Sequence, residues 1–128
     1  MKILVDTSVW IEYLKNRPEV ANHMDRHLLA GNIFIVGPVI AELLQGARTE
    51  KDYHALNNSI DGLPFVETVL NDWTTAGNIS FKLRRKELTV PITDCLIAAV
   101  AIRLNAAVMT YDRHFEHIPG LTLKKTPK

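Results

Sequence analysis

Four carboxylates in this chain of 128 residues stand where an apolar segment ends or a helix is expected to begin: Asp6, Glu42, Asp94 and Asp112. Like charges repel when they are brought close together, so folding alone gives no reason to gather them. A divalent cation does give one, because oxygen ligands without Cys or His suit hard ions such as Mg²⁺ or Mn²⁺ rather than Zn²⁺. Such ions activate water and stabilise the leaving oxygen of a phosphodiester. The acids therefore predict metal-dependent phosphodiester hydrolysis, of either RNA or DNA.

The elements that must position these acids are predicted from hydrophobic patterning. Short apolar runs predict five strands, over residues 2–5, 33–36, 63–66, 106–110 and 121–123, the last at an edge. Helical patterns separate the strands, which indicates crossover connections and an α/β fold with a mostly parallel central sheet flanked by helices. Ligands of such sheets bind beyond the carboxyl ends of the strands, near a switch in strand order. Asp6 and Asp112 follow two of these strands, so both should lie at that edge.

Glu42 and Asp94 are expected in the opening turns of two apolar helices. A single acid there more often stabilises the helix N-terminus than binds a ligand. Asp94, however, shares its helix face with apolar residues that should pack on the sheet, namely Ile97, Ala98 and Ala101. Its carboxylate should therefore point inward. Glu42 borders a similar apolar stripe, and the combination of four acids favours a site over chance.

Two further details of the helices are predicted. Thr7 or Ser8 should cap the helix after the first strand, and Thr93 should cap the helix from Asp94 to about Asn105. A long helix is expected from about residue 71 to residue 86, with one face turned to the core. The residues predicted on that inward face are Trp73, Ala76, Ile79 and Leu83.

Length and composition limit the classes of protein to which this chain can belong. The length fits one domain over residues 1–128, and a hydrophobic content of 47% supplies a core. Lys and Arg total 15 against 14 Asp and Glu, so net charge is uninformative. The single Cys95 cannot form an internal disulfide, and the longest apolar run is too short for a membrane span. These features predict a soluble, cytoplasmic protein without a signal peptide.

The segments around the four acids resemble the motifs of PIN-domain nucleases, and in particular the VapC-type toxins of prokaryotic toxin–antitoxin pairs. The motifs read VDTSVWIE at residues 5–12, AELLQG at 41–46, TDCLIAA at 93–99 and TYDRHF at 110–115. They occur in order, at family-like spacing, over essentially the whole chain. One departure is Glu87, which stands where relatives often have Gly, so the resemblance does not predict the loop before Val90.

This resemblance implies a PIN fold and an endoribonuclease that depends on Mg²⁺ or Mn²⁺ and leaves 5′-phosphate and 3′-hydroxyl ends. It also implies a homodimer and a cognate antitoxin that occludes the site within a higher-order complex. Asp6 and Asp94 would be the principal metal ligands, Glu42 would complete the cluster, and Asp112 would bind through water or a second ion. The hydroxyls expected to hydrogen-bond to the carboxylates belong to Thr7, Ser8 and Thr110.

Basic residues close the long helix shortly before Asp94: Lys82, Arg84, Arg85 and Lys86. They could simply complement the helix dipole, or they could form a rim that grips RNA phosphates beside the acidic centre. The sequence leaves both interpretations open. Three lysines at positions 124, 125 and 128 are expected to form a solvated tail.

Other side chains are weaker candidates. His114 and His117 have the spacing of a metal pair, but without Cys partners or a second His pair a zinc site is disfavoured. Four aromatic residues could stack on bases, but their helical spacing favours packing, with Tyr13 the best exception. They are Trp10, Tyr13, Trp73 and Phe81.

Two other functions compete with nuclease activity. A catalytically weak PIN-fold module that only binds nucleic acid or a partner should have lost one or more acids, and this chain keeps all four. A metal-dependent phosphatase of small substrates would need a Gly-rich phosphate loop or a covalent Asp-x-Asp pair, and Asp6-Thr7-Ser8 provides neither. Metal-dependent nuclease activity is therefore the function predicted.

Overall fold

A computed structural model describes residues 1–127, so the tail position Lys128 lies outside the described residues. Five strands form one sheet in the order β3-β2-β1-β4-β5, and every pair is parallel. The strands are β1 (Ile3–Val5), β2 (Ile33–Val36), β3 (Phe65–Val66), β4 (Ala107–Met109) and β5 (Thr122–Lys124). The predicted parallel α/β sheet is confirmed, as is the edge position of the last strand.

Within residues 1–127, six α-helices and one 3-10 helix connect these strands. The helices are α1 (Thr7–Leu14), α2 (Pro18–Leu29), α3 (Gly37–Gln45), α4 (Glu50–Asp61), α5 (Leu70–Arg84) and α6 (Ile92–Leu104), followed by a 3-10 helix over Arg113–His117. Among residues 1–127, no helix combines the length and the apolar character needed to cross a lipid bilayer.

The centre of the sheet contains the switch in strand order. The chain forms β1, β2 and β3 in one direction and then returns to place β4 on the free side of β1. Val5 pairs with Met109, and the backbone N–H of Asp6 donates to the Met109 carbonyl at 2.9 Å. Asp6 and Thr110 therefore leave neighbouring strands side by side at the carboxyl edge, where ligands of such sheets bind.

Helix α6 is the most deeply buried helix of the fold. Every residue from 94 to 101 is buried, because a run of small side chains lets the helix approach both the sheet and α5 closely. This packing brings the opening turn of α6 to the carboxyl edge of the sheet. The inward orientation predicted for Asp94 is confirmed, since its residue surface is only 8% exposed.

Both predicted caps are wrong. Helix α1 begins at Thr7 with Asp6 in the N-cap position, and α6 begins at Ile92 after Pro91. Neither helix has a side-chain cap hydrogen bond. Pro91 lacks an N–H and has φ fixed near −53°, so the helix can start immediately after it. Thr93 therefore lies inside the first turn, where its side chain is exposed.

The inward face of α5 differs at one position from the prediction. Ala76, Ile79 and Leu83 are buried as expected, but Trp73 is 55% exposed. Asp72 takes the inward place in that turn and is 1% exposed. A buried carboxylate is tolerated there because Arg103 of α6 donates to both of its oxygens at 2.9 Å.

This ion pair fastens the start of α5 to the end of α6. Asp72 also accepts from the backbone N–H of Val69 at 2.9 Å, and Arg103 reaches the Glu67 carbonyl at 3.0 Å. The pKa of Asp72 is lowered even though burial opposes ionisation, because Arg103 and the Val69 N–H both favour the carboxylate. The pair therefore fixes α5 and α6 in an antiparallel arrangement.

The turn after α5 shows how the chain accommodates Glu87 at a position where relatives often have Gly. The Leu88 N–H donates to the Leu83 carbonyl and the Glu87 N–H to the Arg84 carbonyl, which is the Schellman pattern. Glu87 occupies the left-handed position of this motif, with φ at +63°, where Gly is usually found. The chain therefore keeps the turn that Gly would favour, at a conformational cost.

Replacing Arg103 with Ala should lower the free energy of unfolding several times more than an exposed Arg→Ala change does, because Asp72, 1% exposed, would be left without its cation. Urea denaturation at neutral pH measures this change. Arg26→Ala, at an exposed position on α2, is the control and should change stability by less than about 0.5 kcal/mol. Equal losses of stability for the Arg103 and Arg26 variants would contradict the role given to the pair.

Candidate active site

Asp6 occupies the switch point between β1 and β4 and is 6% exposed. Two hydroxyls donate to its Oδ2 atom: Ser8 Oγ at 2.9 Å and Thr110 Oγ1 at 2.8 Å. Ser8 comes from the first turn of α1 and Thr110 from the end of β4. The carboxylate orientation is therefore set by the two elements that leave the sheet at this edge.

The two hydroxyls are themselves oriented by the backbone that follows β4. The Tyr111 N–H donates to Ser8 Oγ at 3.0 Å, and the Asp112 N–H donates to Thr110 Oγ1 at 2.9 Å. Each hydroxyl has one proton, which it gives to Asp6, so the 3.3 Å approach of Ser8 Oγ to Thr110 Oγ1 adds little bonding. The network holds Asp6 in one orientation before any ligand binds.

Glu42 approaches the same edge from α3. Thr7 Oγ1 donates to Glu42 Oε1 at 2.8 Å, which links the first turn of α1 to the second turn of α3. Glu42 is half-buried. Thr7 and Ser8 therefore hydrogen-bond to two different carboxylates, Glu42 and Asp6 respectively, rather than to the N-terminus of α1.

Asp94, in the first turn of α6, has a strongly raised pKa. Burial, together with the negative charges of Asp6, Asp112 and Glu42, raises its pKa to about 6, against the opposing effect of His114. All three other predicted acids thus lie close enough to repel an ionised Asp94. The structure brings the four carboxylates together at one edge of the sheet.

His114 is part of this cluster, although the sequence suggested for it only a disfavoured zinc pair with His117. Its Nδ1 atom lies 2.9 Å from Asp112 Oδ1 and 3.6 Å from Asp94 Oδ2. Its backbone N–H also donates to Asp112 Oδ1 at 2.9 Å, so Asp112 caps the 3-10 helix. His117 ends that helix and is exposed. One feature of the sequence could have assigned His114 to the site: it lies two residues after Asp112, an acid predicted at the edge of the sheet.

The donor set can hold a divalent cation: the four carboxylates supply the oxygen ligands that hard ions prefer, and His114 adds one nitrogen donor. Asp94, Asp112 and His114 can each offer one ligand atom so that these atoms all lie within 4.8 Å of one another. Within residues 1–127, the ion pairs made by Asp94 and Asp112 are with His114, whose charge depends on protonation. A buried carboxylate whose pKa is raised by burial and by neighbouring acids, with no permanent cation beside it, is in the environment that a metal ion requires.

The four basic residues predicted as a rim are all exposed. Lys82 and Arg84 belong to the last turn of α5, and Arg85 and Lys86 follow it directly. Arg85 lies over the Phe81 ring, with its guanidinium carbon 5.6 Å from the ring centroid. A role of these cations toward RNA stays a prediction.

Comparison with known proteins agrees with this geometry. A family model described as the PIN domain matches residues 3–121. The VapC ribonuclease Mb1587 of Mycobacterium bovis is 34% identical over 125 residues, which cover 94% of this chain and 93% of the relative. Ribonuclease VapC18 of Mycobacterium tuberculosis is 32% identical, over 98% and 93% of the two chains.

Solved structures give the same result. A chain of the DNA-bound VapBC of Salmonella typhimurium superposes with a TM-score of 0.85 and 25% identity, over 97% of each chain. VapBC2 of Rickettsia felis, bound to a promoter DNA fragment, gives 0.83 and 26% identity, over 97% of this chain and 98% of the other. The chain therefore belongs to the PIN-domain family, and the two relatives compared above are named VapC ribonucleases. The predicted resemblance and fold are confirmed.

Asp94→Asn should stabilise the metal-free protein at neutral pH. The raised pKa means that the fold loses stability as pH rises from about 4 to about 6 and Asp94 ionises among its neighbours. The variant should gain up to about 3 kcal/mol at about pH 7.5, and this gain should vanish below about pH 4. Urea denaturation in the presence of chelator measures the difference.

Glu67→Gln is the control for this prediction, because Glu67 is an exposed acid outside the cluster. Its stability should follow that of the wild type at every pH. The electrostatic account would be contradicted if Asp94→Asn and wild type were equally stable at neutral pH. It would also be contradicted if their difference in stability did not change with pH.

Proposed function

We propose that this chain is a metal-dependent endoribonuclease and the toxin of a VapBC-type pair, acting in the cytoplasm, with residues 1–128 as a single PIN domain. The observation that carries this proposal is the acid cluster at the switch point, where Asp6 and Asp94 are buried and where burial and three neighbouring carboxylates raise the pKa of Asp94. The names of the relatives support the choice of RNA as substrate. All four acids are present, so nothing favours a binding module without turnover.

The proposed roles follow the geometry of the cluster. Asp6 and Asp94, the two buried acids, would be the principal ligands of Mg²⁺ or Mn²⁺. Glu42 and Asp112, both half-buried, would complete the site toward the substrate. When bound, such an ion supplies charge neutralisation at the phosphate and activation of water.

The chain's own hydroxyls and imidazole would position these acids. Ser8 and Thr110 fix Asp6, and Thr7 fixes Glu42, so neither carboxylate has to reorganise when substrate arrives. His114 orients Asp112 through its ring and its backbone N–H. Preorganised groups of this kind lower the barrier because their ordering cost is met during folding.

Asp94→Asn should reduce Mg²⁺-dependent cleavage of RNA by about a thousandfold, because a lost ligand removes several kcal/mol of charge stabilisation. Total RNA incubated with Mg²⁺, with Mn²⁺ and with chelator, followed by mapping of the fragment ends, measures cleavage. Glu116→Gln is the matched control, because Glu116 is an exposed acid on the 3-10 helix and should retain activity. Cleavage by the Asp94 variant at the wild-type rate would overturn the site assignment.

A cognate antitoxin is proposed because the matched solved structures are described as VapBC complexes. An open groove of about 610 Å³ beside Glu42 supports this proposal. It lies between α1, α3 and α4, and Ile11 and Leu14 on its wall are 45% and 47% exposed. An apolar segment of the antitoxin seated there would reach the edge of the acid cluster.

Leu14→Glu should weaken capture of the antitoxin by at least about tenfold, because a buried charge in an apolar contact costs several kcal/mol. The antitoxin is expected to be the product of a small reading frame beside this gene. Co-expression followed by affinity purification measures capture. Leu29→Glu, at a position 90% exposed on α2, is the control and should retain the partner. Equal capture by both variants would contradict the assignment of this groove.

We also propose a homodimer, which the family resemblance implies. Three large apolar side chains on the outer face of α5 support it: Leu70, Trp73 and Phe81 are 80%, 55% and 58% exposed. They share one stripe of the helix, so a second copy could cover them together.

A further inference from the structure

We propose that a basic groove along one flank of α5 binds the sugar–phosphate backbone of single-stranded RNA beside the acid site. This inference rests on the ribonuclease function proposed above. It assigns three of the four rim cations to one binding surface, which we call the α5 groove.

The α5 groove has a volume of about 590 Å³ and is cationic. Lys82, Arg85 and Lys86 line it, and no lining residue within the described chain is acidic. Thr75 and Asn78 continue the same wall with polar side chains, and Pro119 stands on the opposite side. A surface with three cations and no counter-charge is complementary to a polyanion.

Helical geometry sorts the rim residues between two faces. Lys82 lies four residues after Asn78 on one flank of the helix, and Lys86, in the turn after α5, lines the same groove. Arg84 falls instead on the stripe of Trp73 and Phe81, and it does not line the groove. Complementing the helix dipole requires cations near the last turn but gives no reason to gather them on one acid-free flank.

The cationic end of the α5 groove is the end that lies toward the acid cluster, although none of the four acids lines the groove. Because Asp72 at the start of α5 pairs with Arg103 at the end of α6, the helices are antiparallel. The basic end of α5 therefore lies toward the start of α6, where Asp94 is. Pro119, on the facing wall, follows the 3-10 helix that begins beside His114. Of the residues that line the groove, Ile102 belongs to α6, the helix whose first turn carries Asp94.

The dimensions and chemistry of the groove fit a short stretch of single strand. Thr75 and Lys86 are about 16 Å apart along the helix axis at 1.5 Å per residue. The hydroxyl of Thr75 and the amide of Asn78 can hydrogen-bond to ribose hydroxyls, which are present in RNA and absent from DNA. Ile102, 40% exposed on the facing wall, offers an apolar contact for an unpaired base.

The cations also offset an obstacle that the acid cluster creates. Four carboxylates repel an approaching phosphate chain until a metal ion neutralises them. Cations on the adjoining flank attract the neighbouring part of the strand. This attraction compensates for the repulsion and places the next phosphate at the site.

The test is the salt dependence of RNA binding by the full chain. A fluorescently labelled single-stranded RNA is titrated in chelator, which prevents cleavage, at several salt concentrations, and anisotropy reports binding. Each phosphate contact that is lost should reduce the slope of log K against log salt by about 0.7. The double variant Lys82→Ala/Lys86→Ala should therefore lose about 1.4 from the slope.

Three comparison variants make the result specific. Lys82→Arg/Lys86→Arg keeps the charges and should retain the slope. Lys51→Ala removes an exposed cation of α4, remote from the groove, and should also retain it. Arg84→Ala should reduce the slope by clearly less than either groove lysine changed alone.

The outcomes separate this inference from the proposed function. An unchanged slope in the double variant, an equal loss for Arg84→Ala, or no binding by wild type would overturn the groove. A double variant that changes oligomeric state instead of slope would assign the groove to a second copy of the chain and also overturn it. A loss of slope without any metal-dependent cleavage by wild type would support the groove and reject the nuclease.

Discussion

The parallel pairing of β1 with β4 at the centre of the sheet is the constraint on which the site depends. It places Asp6 and Thr110 on adjacent strand ends, and the exit of β4 then supplies the backbone donors that orient Ser8 and Thr110. The long route from β1 to β4 passes through α5 and α6, and α6 carries Asp94 back to the same edge. One strand pair thereby assembles residues that are about a hundred positions apart in the chain.

The acid cluster lowers the stability of the metal-free fold. Asp94 is buried among negative charges, so the metal-free protein at neutral pH keeps the site at an energetic cost. The ion pair between Asp72 and Arg103 has the opposite character, because each charge there has its partner in place. These two buried aspartates lie on helices that pack together, and they differ only in whether the chain itself supplies the compensating cation. An acid cluster without its own cation is expected where function, rather than stability, selects the residues.

Much of this arrangement could be predicted from the sequence. The strands and the four acids follow from apolar runs and from the rule that ligands gather at the carboxyl edge, since both are local patterns. The errors at Thr7 and Trp73 arose where tertiary contacts decided the outcome, whereas the wrong cap at Thr93 followed from the local geometry of Pro91. Thr7 hydrogen-bonds to Glu42 instead of capping α1. Asp72, rather than Trp73, faces inward in the first turn of α5, because it pairs with Arg103, 31 residues away. His114 belongs to the site because the start of the 3-10 helix lies against α6, and the sequence alone does not show this contact.

The Schellman turn at Glu87 has a consequence for how RNA would be cut. Two backbone hydrogen bonds close this turn, and a side chain at the left-handed position leaves the backbone fewer alternatives than Gly would. The turn joins the basic end of α5 to the segment that enters α6, so the α5 groove and Asp94 are connected by a stiff corner rather than a hinge. The number of nucleotides between the gripped phosphates and the scissile bond would then be constant, and the enzyme would measure its cleavage position from a fixed point on the strand.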